Sequence, residues 1–175
     1  GFSSMDVASR LDVLIVAEAH GGGDKENEDE MFRPQKSLEH EVTWLAEYYR
    51  SKPLVKFHQQ EVRHLLDELD ALHKTWVFTD LIKCYVDNHS KGNRWQAAKH
   101  CSAYLKKQVN LLRPRHILAL GRTVARHFGC SNLEHGVPSP VTYGDHSCTL
   151  VYSVFPSRNT ADIWVKERGW TPVMR

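Results

Sequence analysis

The chain has 175 residues, with 23 Lys and Arg against 21 Asp and Glu and a formal net charge of +2. That length points to one domain over residues 1–175 with a sizeable core. The near balance of charge excludes a polycation, so any contact with nucleic acid must come from a local patch.

Four cysteines, Cys84, Cys101, Cys130 and Cys148, contain no CxxC pair. The spacing excludes a small disulfide scaffold and points to a reducing, cytoplasmic setting. No apolar run approaches the ~20 residues of a membrane span, and no signal peptide is visible. The opening GFSSM reads as a cloning remnant ahead of a native or internal start, and the chain as a truncation. Mean hydropathy is −0.48, ordinary for a soluble protein.

In chain order, LDVLIVAEA (residues 11–19) is apolar and nearly continuous, as a buried parallel strand requires. HGGGDKENEDE is a loop by composition. Residues 37–50 carry helical spacing through Leu38, Val42, Leu45 and Tyr49, with Ser37 as N-cap. Residues 59–73 repeat it through Val62, Leu65, Leu66, Leu69 and Leu72. TWVFTDLI (75–82) reads as a second strand, VDNHSKGN as a polar loop, and 94–112 as a third helix ending before Pro114. HILAL (116–120) is a third strand, and Gly121 opens a fourth helix. TLVYSVF (149–155) is the last strand, and 160–168 the last helix.

Strands alternating with helices predict an α/β domain with three layers: a four-stranded, mostly parallel sheet flanked by helices. Ligands bind such sheets beyond the carboxyl ends of the strands. Three segments should converge there: the loop after Ala19, the end of the second strand, and the loop after Phe155.

Each candidate group has a plain alternative. HGGGD lets the backbone approach an anion or a base edge, or it is a solvated loop. Asp80 at a strand end, close to Lys83, is a site group or an N-cap. Cys84 and Cys101 are metal ligands or buried thiols, and a cluster needs four ligands. Eight cations from Lys83 to Arg115 make the middle region basic, for solvation or for phosphates. His20, His135 and His146 fall in predicted loops.

The order of these segments resembles the uracil-DNA glycosylase superfamily, above all its bacterial and archaeal iron–sulfur branches. AEAHG (17–21) resembles the family's GEAPG, and AHGG followed by Met31 and Phe32 resembles a neighbouring branch. FTDLIKC resembles TNLVKC, and residues 101–126 resemble CRPYLERQIELVRPRVIVALG. HGVP is similar to the family's HG turn, and SVFPSRNTAD to its closing HPS motif. The resemblance runs from Val13 to Asp162.

It implies an enzyme that flips a base out of DNA and hydrolyses its N-glycosidic bond, leaving an abasic site. The alternative is a DNA- or base-binding module of the same fold without catalysis. An enzyme acting on DNA repair or defence would be nucleoid-associated and, on this reading, monomeric.

By the same resemblance, Glu18 and His20 belong to the first motif, and Asp24 positions the attacking water. Phe32 stacks on the flipped base, and Asp80 stands at the base-reading Asn. Lys83 is a DNA contact. Pro156, Ser157 and Arg158 form the loop that compresses the DNA backbone. Three departures stand out. Phe155 replaces the motif's His, which shifts any donor role to Asn159 or His20. The N-terminal cysteine pair is missing, so Cys84 and Cys101 hold an iron–sulfur cluster only with upstream residues, and no cofactor is expected in this chain. Asp80 replaces Asn; a carboxylate accepts but cannot donate, which suits an amino-bearing base, such as a modified cytosine of phage DNA, better than uracil.

Overall fold

The computed structural model describes residues 2–3, 11–19, 57–82, 91–131, 133–156, 160–166 and 168–175. Its elements in chain order are β1 (Phe2–Ser3), β2 (Val13–Ala19), α1 (Phe57–Ala71), β3 (Trp76–Ile82), α2 (Lys91–Leu112) and β4 (His116–Leu120). They continue with α3 (Arg122–His127), β5 (Pro138–Tyr143), β6 (His146–Ser153), α4 (Ala161–Lys166) and α5 (Thr171–Met174).

The expected parallel sheet is present and larger than four strands. β3, β2, β4 and β6 are parallel neighbours, and β1 and β5 add antiparallel edges, giving six strands in the order β1-β3-β2-β4-β6-β5. β2 lies inside the sheet and is apolar on both faces, so alternate residues enter two different cores. Leu14 and Val16 join Leu105 and Val109 of α2 and Val124 and Phe128 near α3. Val13, Ile15 and Ala17 join Val62, Leu65, Leu66 and Leu69 of α1, with Trp170 and Val173. Three layers follow from this alternation.

Local chemistry sets the element ends. After α1, His73 adopts φ 53°, Lys74 N–H donates to Leu69 O at 2.9 Å, and His73 N–H donates to Asp70 O at 3.0 Å. This is a Schellman closure with a histidine where glycine is usual. Arg113 closes α2 in the same left-handed region, with φ 45°.

Several boundaries differ from the sequence reading. β6 starts at His146 and stops at Ser153, so Val154 and Phe155 lie beyond the strand. His146 is a buried strand residue, not a loop residue; its Nε2 meets Pro114 O at 2.7 Å. α2 begins at Lys91, inside the segment read as a polar loop. The β5–β6 hairpin had no counterpart; its signal was the Gly144-Asp145 pair between two runs. Pro138 and Pro140 sit on the outer strand, where a missing N–H is tolerated. The helix expected over residues 37–50 lies outside the described residues.

The amino edge is held by one clasp. Thr75 N–H donates to Asp12 Oδ2 at 2.9 Å, Thr75 Oγ1–H donates to the same oxygen at 3.0 Å, and Asp12 N–H donates to Thr75 Oγ1 at 2.9 Å. Arg115 Nη1 stands 3.7 Å from Asp12 Oδ1. Burial raises the Asp12 pKa, but the Thr75 hydrogen bonds and the charges of Arg115 and Lys74 outweigh it and hold the carboxyl below its ordinary value. A lowered folded pKa contributes stability that is complete above the unfolded value of about 3.9 and is lost as pH falls through the folded value. Asp12→Asn should therefore cost about 1–3 kcal/mol near neutral pH. The gap from the wild type should close in acid; urea unfolding at pH 7 and at pH 3 measures both.

Candidate active site

β2 leads through α1 to β3 on one side, and β4 leads on to β6 on the other. The strand order therefore reverses between β2 and β4, and the crevice at their carboxyl ends is where such sheets bind ligands. Glu18, Asp80, Gly121 and Phe155 reach this edge from four strands.

Asp80 is the buried charge of this edge, 3% exposed, while the rest of β3 is apolar or Thr79. It pairs across the sheet with Ala17. Its β2 neighbour in register thus presents only a methyl group. Asp80 shares the α1 face with Trp76 and Phe78, whereas Thr79 points to the other face and donates to Gln108 Oε1 of α2 at 3.3 Å. Glu18 is partly buried and alternates with Ala17. The structure brings Glu18 and Asp80 to one edge but onto opposite faces.

At the end of β6, Gly121 N–H donates to Ser153 O at 2.8 Å and extends the β4–β6 pairing by one step. Gly121 has φ 100°, a conformation that turns the chain from β4 into α3 and favours glycine. Phe155 packs over it: a Cβ on residue 121 would lie 3.7 Å from Phe155 Cβ. Phe155 is 40% exposed, and Pro156 is buried. Thr160 Oγ1 donates to Phe155 O at 2.7 Å, which ties the backbone after β6 to the residue before α4.

Two anchors, one at this edge and one holding the segment that follows α4, escaped the sequence reading. His135, in the HG turn, is half-buried, and its Nδ1 accepts from Val154 N–H at 3.1 Å. Gly136 N–H donates to Tyr152 O at 2.8 Å. The second anchor is Glu68 of α1. Its carboxylate accepts from Arg168 Nη1 and, at 2.8 Å, from Nε1 of the buried Trp170. The Arg168 guanidinium also stands 5.6 Å from the Trp170 ring centre. Only the HG dipeptide hinted at the first, and residues a hundred positions apart concealed the second.

Asp24, His20, Phe32, Lys83, Ser157, Arg158 and Asn159 lie outside the described residues, as does Cys84. Cys101 is buried, on the face of α2 that also carries Ala98 and Leu105. Cys130 is a core residue, and burial pushes the Cys148 thiol up to about 11, which disfavours the thiolate a metal needs. Among the described residues no three His, Cys, Asp or Glu converge on a point that could hold a metal ion. The thiols that are described do not fit a four-thiolate cluster. The half-buried His127–Tyr143 pair, 2.7 Å apart, lies by register toward the amino edge; burial lowers the His127 pKa and raises that of Tyr143.

A buried carboxylate near a strand end can read N–H groups of a ligand, and an exposed aromatic ring elsewhere on the same edge can stack. Both suit a flat heterocycle. A family profile described as the uracil DNA glycosylase superfamily matches residues 5–169. It covers the superfamily as a whole rather than one branch. No curated protein matches the chain significantly.

Truncating Glu68 should loosen the segment that carries Arg168 and Trp170. Glu68→Ala leaves the buried Trp170 Nε1–H without its carboxylate, and should cost about 1–3 kcal/mol in urea unfolding. Glu68→Gln, which keeps an acceptor, should recover part of that loss.

Proposed function

The chain belongs to the uracil DNA glycosylase superfamily, and we propose that it is a DNA glycosylase whose preferred base carries an amino group on its pairing edge. The superfamily acts on DNA and hydrolyses N-glycosidic bonds. The observation that carries the finer reading is Asp80, buried at the carboxyl edge on the face of Trp76 and Phe78.

The mechanism starts with the target nucleotide leaving the duplex stack, at a cost of a few kcal/mol that the pocket offsets by stacking and hydrogen bonds. Asp80 then accepts from the base. A carboxylate takes N–H donors, such as cytosine N4–H₂ or the N1–H and N2–H₂ of guanine, and repels uracil O4. The glycosidic bond breaks with positive charge developing on the sugar and negative charge on the leaving base. Asp24 would hold the attacking water, with Glu18 and His20 in the same first motif. Phe32 would stack on the base. Phe155 offers no donor to the departing base, so Asn159 or His20 would supply it. Pro156, Ser157 and Arg158 would press on the DNA backbone, and Lys83 would meet a phosphate.

In this reading residues 1–175 act as one monomeric domain on DNA, nucleoid-associated in the cytoplasm, without an iron–sulfur cluster. No helix among the described residues is long and apolar enough to cross a membrane. A second reading has one specific support: Phe155, exposed and without a proton to give, would fit a module that binds DNA or a base without cutting it.

One experiment separates these readings. Duplexes carrying uracil, hypoxanthine or modified cytosines are incubated with the protein, and abasic sites are cleaved with alkali. Strand breaks at an amino-bearing base are expected. Asp80→Asn should move preference toward uracil by about ten- to hundredfold. Excision of uracil at an ordinary rate, unchanged by Asp80→Asn, would overturn the substrate reading. Tight binding without breaks on every duplex would favour the binding module.

A further inference from the structure

The ladder between β4 and β6 ends at the Leu120–Ser153 pair, so the Val154 N–H lies past the last strand partner. His135 Nδ1 takes this N–H at 3.1 Å. A ring nitrogen accepts a hydrogen bond only when it carries no proton. The imidazole is therefore neutral in this arrangement, with its proton on Nε2.

The ring is held from the other side by Gly169. A Cβ at residue 169 would come within 2.6 Å of His135 Nδ1 and 2.7 Å of Ser153 Oγ, and would meet His135 Cε1 more closely still. Gly169 has no left-handed φ, so its lack of a side chain serves this approach rather than a turn. Gly136, with φ 74°, lets the HG turn lie against the same residue: a Cβ there would be 3.4 Å from Gly169 Cα. Behind Gly169, Trp170 is fixed to Glu68 of α1. The imidazole thus fills a slot between the end of β6 and a segment tied to the core.

We propose that His135 is a positioning residue for the site: as a neutral acceptor it fixes the backbone at Val154 and so sets the position of Phe155 and Pro156. The geometry stands by itself, and its catalytic consequence rests on the glycosylase reading above. The residue after Val154 is the exposed Phe155 over Gly121, followed by a proline that donates no N–H. His135 therefore supplies a side-chain restraint at the last backbone donor before Phe155.

Two substitutions separate this role from mere packing. In His135→Asn the amide Oδ1 stands close to where Nδ1 was and can still accept from Val154 N–H. In His135→Leu the volume is roughly kept and the acceptor is lost. The first readout is hydrogen exchange at the Val154 amide. Protection should drop at least tenfold in His135→Leu and return in His135→Asn. The second is base excision on the duplex the wild type cuts best. kcat should fall about ten- to hundredfold in His135→Leu, as expected when reacting groups are displaced slightly, with KM changed far less, and His135→Asn should restore most of it.

Gly169→Ala should reproduce the His135→Leu exchange pattern, because its methyl takes the place of the ring. The loss should be smaller in a His135→Ala background, where the clash with the imidazole is gone. Unchanged Val154 exchange in both His135→Leu and Gly169→Ala, at wild-type melting temperature, would overturn the proposal. So would equal loss in His135→Asn and His135→Leu. If the wild type cuts no duplex, the glycosylase reading fails, while the exchange experiment still decides whether His135 holds the loop.

Discussion

The arrangement depends on the register between β2 and β3, and the Asp12–Thr75 clasp starts that register at the amino edge. Side chains alternate along a strand, so a slip of one residue would move every group to the opposite face. Asp80 would then turn from the α1 face, with Trp76 and Phe78, to the face of α2. A hydrogen-bonded carboxylate five residues before Ala17 therefore decides which layer the buried charge of the site belongs to.

Burial on both faces drives the same division of labour. β2 and β3 have no solvated side along most of their length, and a charged group is costly there unless it is partnered. Polar chemistry is displaced to the edges: Asp12 at the amino end, Glu18 and Asp80 at the carboxyl end. The amino edge uses its carboxylate to hold strands together. At the carboxyl edge the ladder ends, and side chains from outside the sheet take over from backbone pairing. His135 meets Val154, and Thr160 meets the Phe155 carbonyl.

Phe155 shows how position changes the meaning of a residue. As the last member of TLVYSVF it reads as a strand terminus pointing into a core. In the fold the strand has already stopped, the Phe155 Cβ lies against Gly121, and the residue remains 40% exposed. An exposed aromatic ring can stack on a planar group but donates no hydrogen bond.

The sequence by itself determined the layers and the four parallel strands, because long apolar runs and helical periodicity act locally and leave a plain trace in LDVLIVAEA, TWVFTDLI and HILAL. It also marked Asp80 and the loop after β6 through their resemblance to a family. It could not show that Glu18 and Asp80 face opposite ways, since that depends on the inter-strand register. The β5 edge was harder to see, since two prolines mask the strand and only the Gly144-Asp145 pair marks its turn. His135, Gly169 and Glu68 were legible only once the chain had folded. Their contacts join residues 19 to 102 positions apart, and no local propensity encodes a hydrogen bond or a close approach over that distance. Tertiary packing alone decided which histidine holds the edge of the site.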